Sequence, residues 1–149
     1  TFPTSQSVGV TQTDEIVDQP GCSTFTSSNR QFRTTTETGR FGEALAEQYL
    51  IKKGYRTIGH NVHMGRQELD LVMLDGETVV FVEVKARKNA AFGTPAEFVT
   101  RTKQRNLTVA AERFLHRYGM DDRFARFDIV EIYLEEKRIR HLTDAFSAI

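Results

Sequence analysis

The sequence predicts an α/β fold, a mixed central sheet flanked by helices, on three observations. Apolar residues recur at helical spacing in two separated stretches, 41–50 and 107–118. Between and after them lie apolar or alternating runs of strand length, with a hairpin turn signal at Asp75-Gly76. Finally, the elements follow one another as α-β-β-β-α-β with a further short strand at the end, an interleaving that favours helices packed on a sheet over separate layers. The 149 residues, 39% hydrophobic, are enough for one domain with a buried core.

Residues 1–38, rich in Thr, Ser and Gln and broken by Pro3, Pro20 and Gly21, show no sustained period and are expected to form a disordered tail. The domain is expected to span 39–149. Its first helix carries Phe41, Leu45, Tyr49 and Leu50 on one face and stops before Gly54. Tyr55–His63 alternates as a strand, and Gln67–Arg87 is a hairpin turned at Asp75-Gly76. Phe92–Val99 is a connection leading to a second helix with Leu107, Ala110, Ala111, Phe114, Leu115 and Tyr118 on its apolar face, ended by Gly119. Arg126–Leu134 alternates as a strand, and a shorter one follows over Arg138–Leu142.

The formal net charge is zero, so any charged site has to come from local arrangement. The single Cys22 has no partner for an intramolecular disulfide, which fits a reducing compartment. With no apolar run long enough to span a bilayer and no basic start followed by an apolar stretch, the expected location is the cytoplasm and no membrane partner is expected.

The hairpin carries the chemistry. Glu68 and Asp70 lie on one arm, and Glu83 and Lys85 on the other, beside the apolar run Val79-Val80-Phe81-Val82. A two-residue turn at Asp75-Gly76 sets Leu74 opposite Glu77, Asp70 opposite Phe81 and Glu68 opposite Glu83, with all four charged side chains on one face. Carboxylates so placed repel unless a cation lies between them. A hard divalent ion suits oxygen ligands, and Mg²⁺ commonly takes one or two carboxylates together with waters and phosphate oxygens. Lys85 beside such an ion could hold a water or offset charge on a phosphorus-bound oxygen, which points to metal-assisted phosphodiester hydrolysis. The spacing alone is loose, and the plainer alternative is a set of solvated charges that protect a sheet edge.

Four segments, GRFGEALAEQYLIKKGYRTIGHN, ELDLVMLDGETVVFVEVKAR, FGTPAEFVTRTKQRNL and RFDIVEI, resemble the YraN-like family of uncharacterised bacterial proteins, related to the PD-(D/E)XK nuclease superfamily. The resemblance implies a restriction-endonuclease-like αβββαβ core and a Mg²⁺- or Mn²⁺-dependent nuclease site. It implies that Asp70, Glu83 and Lys85 take the D-(D/E)-x-K roles, that Glu43 adds an acid from the first helix, and that Gln104 supports from the second. Glu68 joins Asp70 and Glu83 as an expected metal ligand. At Gln67 and His63 the chain departs from the glycine and arginine usual in that family.

Arg101, Lys103 and Arg105 stand at the start of the second helix, where the helix dipole disfavours positive charge, so they are the expected contacts to nucleic acid, with DNA favoured. Glu47 is read as a solvated helix residue and the four histidines as surface or core groups. Three functions follow: a metal-dependent nuclease, a nucleic-acid-binding module that cleaves little or not at all, or an interaction protein. A homodimer would suit two-strand cleavage.

Overall fold

The structure is a computed structural model that describes residues 11–16, 35–88 and 99–148. Eight elements follow in order: β1 (Thr11–Ile16), α1 (Thr35–Lys52), β2 (Arg56–Met64), β3 (Gln67–Asp75), β4 (Thr78–Arg87), α2 (Arg101–Arg117), β5 (Ala125–Tyr133) and β6 (Arg138–Phe146). They build one six-stranded sheet in the order β1-β6-β5-β4-β3-β2. The pairing of β4 with β5 is parallel and all others are antiparallel, so the sheet is mixed, as expected.

Strand alternation sorts the core into two layers. Leu71, Met73, Val80, Val82, Val130 and Ile132 pack with Leu45, Ala46, Tyr49 and Leu50 of α1. Val72, Leu74, Val79, Phe81 and Phe127 pack with Leu107, Ala110, Ala111, Phe114 and Leu115 of α2. β4 and β5 are therefore apolar on both faces, which explains the unbroken Val79–Val82 run. Gly42 lets α1 settle closely on β4, because a Cβ there would stand 2.4 Å from the Ala86 Cβ. Both helices end where their glycines predict. Tyr55 and Gly54 donate backbone N–H groups to the Leu50 and Ile51 carbonyls, and Met120 and Gly119 repeat the pattern on Leu115 and His116.

Three expectations change. The span read as a tail contains β1, which pairs with β6, and the first four residues of α1. The six residues of β1 are too few for a convincing period, and a strand of that length is fixed by its neighbour rather than by itself. β6 extends to Phe146, past the expected Leu142, through an irregularity in its pairing with β5 between Phe127 and Ile129. The hairpin turn is Gly76-Glu77, flanked by the pair Asp75–Thr78. Gly76, at φ +61°, takes the first of the two turn positions, where positive φ favours glycine. The register therefore slips by two residues from the expected one, which keeps Asp70 on the same side as Glu83. Alternation nevertheless breaks in β3, where Leu69 joins the α2 layer and Leu71 the α1 layer, and Glu68 turns to Glu43 of α1 instead of sharing the expected face with Glu83 and Lys85. The Phe92–Val99 connection lies outside the described residues except for Val99.

Candidate functional site

The β3–β4 ladder runs from Asp75–Thr78 to Leu71–Val82 and stops there. Past that point the strands part, and the Val84 N–H is left for a side chain. Asp70 takes it, its Oδ2 accepting at 3.0 Å. A backbone donor released by the end of one ladder thus fixes a carboxylate of the neighbouring strand.

Glu83, 6% exposed, lies at the same level. Its Oε1 is 3.3 Å from Lys85 Nζ and 3.8 Å from Lys103 Nζ, so β4 and the first turn of α2 both send a cation to it. The α2 start is fixed locally: Thr100 caps it by accepting from the Lys103 N–H at 3.1 Å. Gln104 does not turn to the carboxylates. Its side-chain amide donates to the Val99 carbonyl at 3.1 Å, tying down the approach to the helix. Arg101 and Arg105 lie exposed on the same first turns, which contain no acid.

Glu43 and Glu68 form a second group beside the first. Asn61, with its amide oriented to donate, reaches Glu43 Oε2 and Glu68 Oε1 at 2.9 Å each. Asn61 has a φ of +50° and sits between the pairs His60–Leu71 and Val62–Leu69, across from Asp70. Asparagine tolerates that backbone better than most residues. Glu68 is not opposite Glu83, as the two-residue turn at Asp75-Gly76 would have it; it pairs with His63 of β2. An open cleft of about 760 Å³ extends from Glu43 and Glu68 between α1 and β2, past Arg40, Glu47, His60 and His63.

The acids are under-compensated. Burial, and then the charge of Glu83, push the Asp70 carboxyl up to about 7, against the pull of the Val84 N–H and Lys103. Burial also raises Glu43, with Glu68 and Glu83 adding to the effect and Asn61 opposing it. Among the described residues, no three His, Cys, Asp or Glu side chains stand close enough to hold a metal ion by themselves. The donor set nevertheless fits Mg²⁺ or Mn²⁺. Asp70 and Glu83 offer hard oxygen ligands at a place short of positive charge, and such ions complete their shells with water and substrate oxygens.

The Asp70 shift sets a stability prediction. Its pKa rises from an ordinary 3.8 to about 7 on folding, so the stabilisation of the folded state by its proton is complete below pH 3.8 and lost as pH rises through 7. In metal-free buffer the protein is expected to lose about 2–4 kcal/mol over that range. Asp70→Asn removes the loss: at pH 8 it should melt several degrees above wild type, and at pH 4 the two should melt together. Equal melting at both pH values in calorimetry would show that Asp70 is not under charge stress.

Two groups escaped the reading of the sequence. Asn61 is one, and its signal would have been an asparagine inside a β-rich segment, a residue that favours bends. Glu131 is the other. It is fully buried on β5, in register with Lys85, and accepts from the Tyr133 hydroxyl at 2.8 Å and from Arg140 Nη1 at 3.5 Å. Burial and then Glu131 raise the Tyr133 hydroxyl to about 12. An acid in the middle of the apolar stretch Phe127–Tyr133 was the available signal.

An α/β protein that gathers carboxylates and a lysine where two strands of a mixed sheet part is the class these features define. The family described as "Uncharacterised protein family UPF0102" matches residues 42–132, a span that holds every element of the site. A UPF0102 protein of Alkaliphilus oremlandii is 42% identical over 112 residues, covering 72% of this chain and 96% of that protein. One from Clostridioides difficile is 36% identical over 110 residues, with 74% and 96% covered. One from Geobacter sulfurreducens is 45% identical over 108 residues, with 70% and 84% covered. The chain belongs to the UPF0102 family. No helix among the described residues is long and apolar enough to cross a membrane.

Proposed function

We propose that the protein is a metal-dependent nuclease of the PD-(D/E)XK type that hydrolyses phosphodiester bonds, with DNA the favoured substrate. The observation that carries this reading is the convergence of Asp70, Glu83 and Lys85 at the parting of β3 and β4. Asp70 and Glu83 would hold Mg²⁺ or Mn²⁺, with Glu68 and Glu43 completing the acidic side. Such an ion, when bound, supplies Lewis acidity and lowers the pKa of its water.

The chain's own residues do the rest. Lys85, 27% exposed by its side chain, is held by Glu83 yet open to solvent. Its ammonium can orient a water against phosphorus and offset the charge that grows on the non-bridging oxygens. Lys103, 39% exposed at the edge of the same carboxylate, can meet the phosphate on its way in, and Arg101 and Arg105 extend that positive rim. Asn61 keeps Glu43 and Glu68 side by side although both are acidic, and so shapes the wall of the cleft between α1 and β2. Gln104 supports indirectly by holding the start of α2.

The test is incubation of the purified protein with labelled single-stranded, duplex and branched DNA and RNA, each with Mg²⁺, Mn²⁺ or EDTA. Cleavage that depends on metal is expected, and Lys85→Ala should slow it by roughly a hundredfold while calorimetric metal binding persists. Binding without cleavage under every condition would favour a nucleic-acid-binding module. Loss of metal binding in Lys85→Ala would make the lysine a structural partner of Glu83.

A further inference from the structure

The chain as a whole is neutral, but α2 is not. It carries Arg101, Lys103, Arg105, Arg113 and Arg117 against the single acid Glu112. Arg101, Arg105, Arg113 and Arg117 are all exposed, and with the exposed Val109 between them they occupy consecutive steps of four residues. On a helix such a series is one continuous oblique ridge, here about 24 Å long at 1.5 Å per residue. Like charges four residues apart each cost an isolated helix about 0.2–0.5 kcal/mol, and Arg101 and Arg105 also oppose the helix dipole. The dipole favours Arg117 in the last turn, but the fold gains nothing evident from Arg101 and Arg105 or from setting the arginines in one row. A polyanion laid along the ridge would.

Both ends of the ridge meet other parts of the molecule. At the N-terminal end, Lys103 reaches Glu83. Toward the C-terminal end, Arg113 lies against the β2–β3 turn, its Nη1 2.8 Å from where a Gly65 Cβ would be; Gly65, at φ +64°, leaves the guanidinium that room. Met64, Gly65, Arg113, His116 and Arg117 line an open groove of about 630 Å³ there. It shares no lining residue with the acidic cleft between α1 and β2.

We infer that Arg113 and Arg117 form a second phosphate anchor, remote from the cutting site, and that the substrate is a polymer long enough to lie along α2 from one anchor to the other. This rests on the nuclease reading and specifies its substrate. At 3.4 Å per step of a duplex strand, a 24 Å ridge corresponds to about seven nucleotides, so a mononucleotide or dinucleotide satisfies one end only. Phosphate contacts of this kind position a strand without reading its sequence.

Fluorescence anisotropy in EDTA, which prevents cleavage of the probe, tests the inference. The probes are labelled DNA and RNA, single-stranded and duplex, of 4, 8, 16 and 24 residues, titrated with the full chain at several salt concentrations. Affinity should climb steeply between 4 and 8 residues. Arg113→Gln/Arg117→Gln should weaken binding of the 16- and 24-residue probes by roughly tenfold, flatten the slope of log K against log salt by about 2 on duplex, and leave 4-residue probes unchanged. Both side chains are exposed, and loss of a favourable dipole contact at Arg117 offsets relief of the like-charge pair, so the variant should melt within a few degrees of wild type. An unchanged slope, or 4-residue probes held as tightly as 16-residue ones, would overturn this inference and leave the nuclease reading standing. Wild-type protein that binds none of the probes would overturn both.

Discussion

Asp70→Asn/Glu83→Gln is expected to lose about a thousandfold or more of metal-dependent phosphodiester cleavage and to gain stability in metal-free buffer. Both substitutions keep the shape of the side chain, and asparagine keeps an oxygen for the Val84 N–H that Asp70 now accepts at 3.0 Å. What they remove is charge. A bound ion contributes several kcal/mol to a phosphoryl transition state, and each 1.36 kcal/mol is a factor of ten in rate. Removing two carboxylates that raise each other's energy relieves repulsion in the metal-free fold, so the activity loss and the stability change run in opposite directions. A structural role for the pair would predict the reverse: lower melting and unaltered cleavage. Single-turnover assays beside calorimetry, on protein freed of contaminating nucleases, separate the two outcomes. Cleavage at the wild-type rate by the double variant would remove Asp70 and Glu83 from the mechanism.

The largest effect on stability is expected away from the cleft, at Asp128. This residue is 0% exposed and sits beside the buried side chains of Arg126 and His141. Arg126 Nε donates to its Oδ1 at 3.0 Å, His141 Nε2 lies 2.7 Å from its Oδ2, and the Asp144 N–H donates to Oδ1 at 2.9 Å. Arg126 also donates to the Tyr55 hydroxyl and to Asp75, and Lys53 Nζ stands 3.1 Å from His141 Nδ1. Burial alone would raise the Asp128 carboxyl, but His141 and Arg126 outweigh it and hold the pKa below its ordinary value. Asp128→Ala leaves Arg126 in the interior without its one fully buried carboxylate, with only the half-exposed Asp75 remaining. Breaking a buried pair from one side costs about 3–5 kcal/mol, a fall in melting temperature on the order of 10 °C or more. Urea unfolding should show it as a lower midpoint with unchanged slope. A shift under about 1 kcal/mol would mean that water reaches Arg126 once the carboxylate is gone.

Part of this was open to view in the chain and part was not. The order of elements followed from period and glycine position, because Gly54 and Gly119 stop helices by local chemistry. The meeting of Asp70 with Glu83 also followed, since a register error of two residues keeps them on one side, whereas Glu68 left the expected common face because alternation breaks between Leu69 and Leu71. The register itself did not follow. Asp75-Gly76 and Gly76-Glu77 are both acceptable turns on paper, and packing of Val79 and Phe81 against α2 has to choose between them. Nor could the pattern show that the ladder ends at Leu71–Val82, because an unmade hydrogen bond leaves no mark on residue type. Asn61 joins Glu43 and Glu68 across three elements, a relation that exists only after folding. Arg126, Asp128 and His141 stand in strands that otherwise alternate well, so their charges pass for solvent-facing positions until the second layer of the core is in place. β1 escaped for the opposite reason: its partner β6 is more than a hundred residues away along the chain, and all of its six residues but Ile16 are polar.

The irregular backbone of β2 has a consequence for the life of the protein at high concentration. β2 is an edge of the sheet among the described residues, and a straight edge offers a row of free donors and acceptors to any other extended chain. Its pairing slips between Thr57 and Gly59, and two residues later Asn61 turns into the left-handed region. An incoming strand could match the edge for only a few residues before the rows fell out of step. The bend that aims Asn61 at the two glutamates thus also makes the edge a poor template for stacking molecules into fibres, so a substitution that straightens β2 exposes the protein to aggregation as well as disturbing its acids.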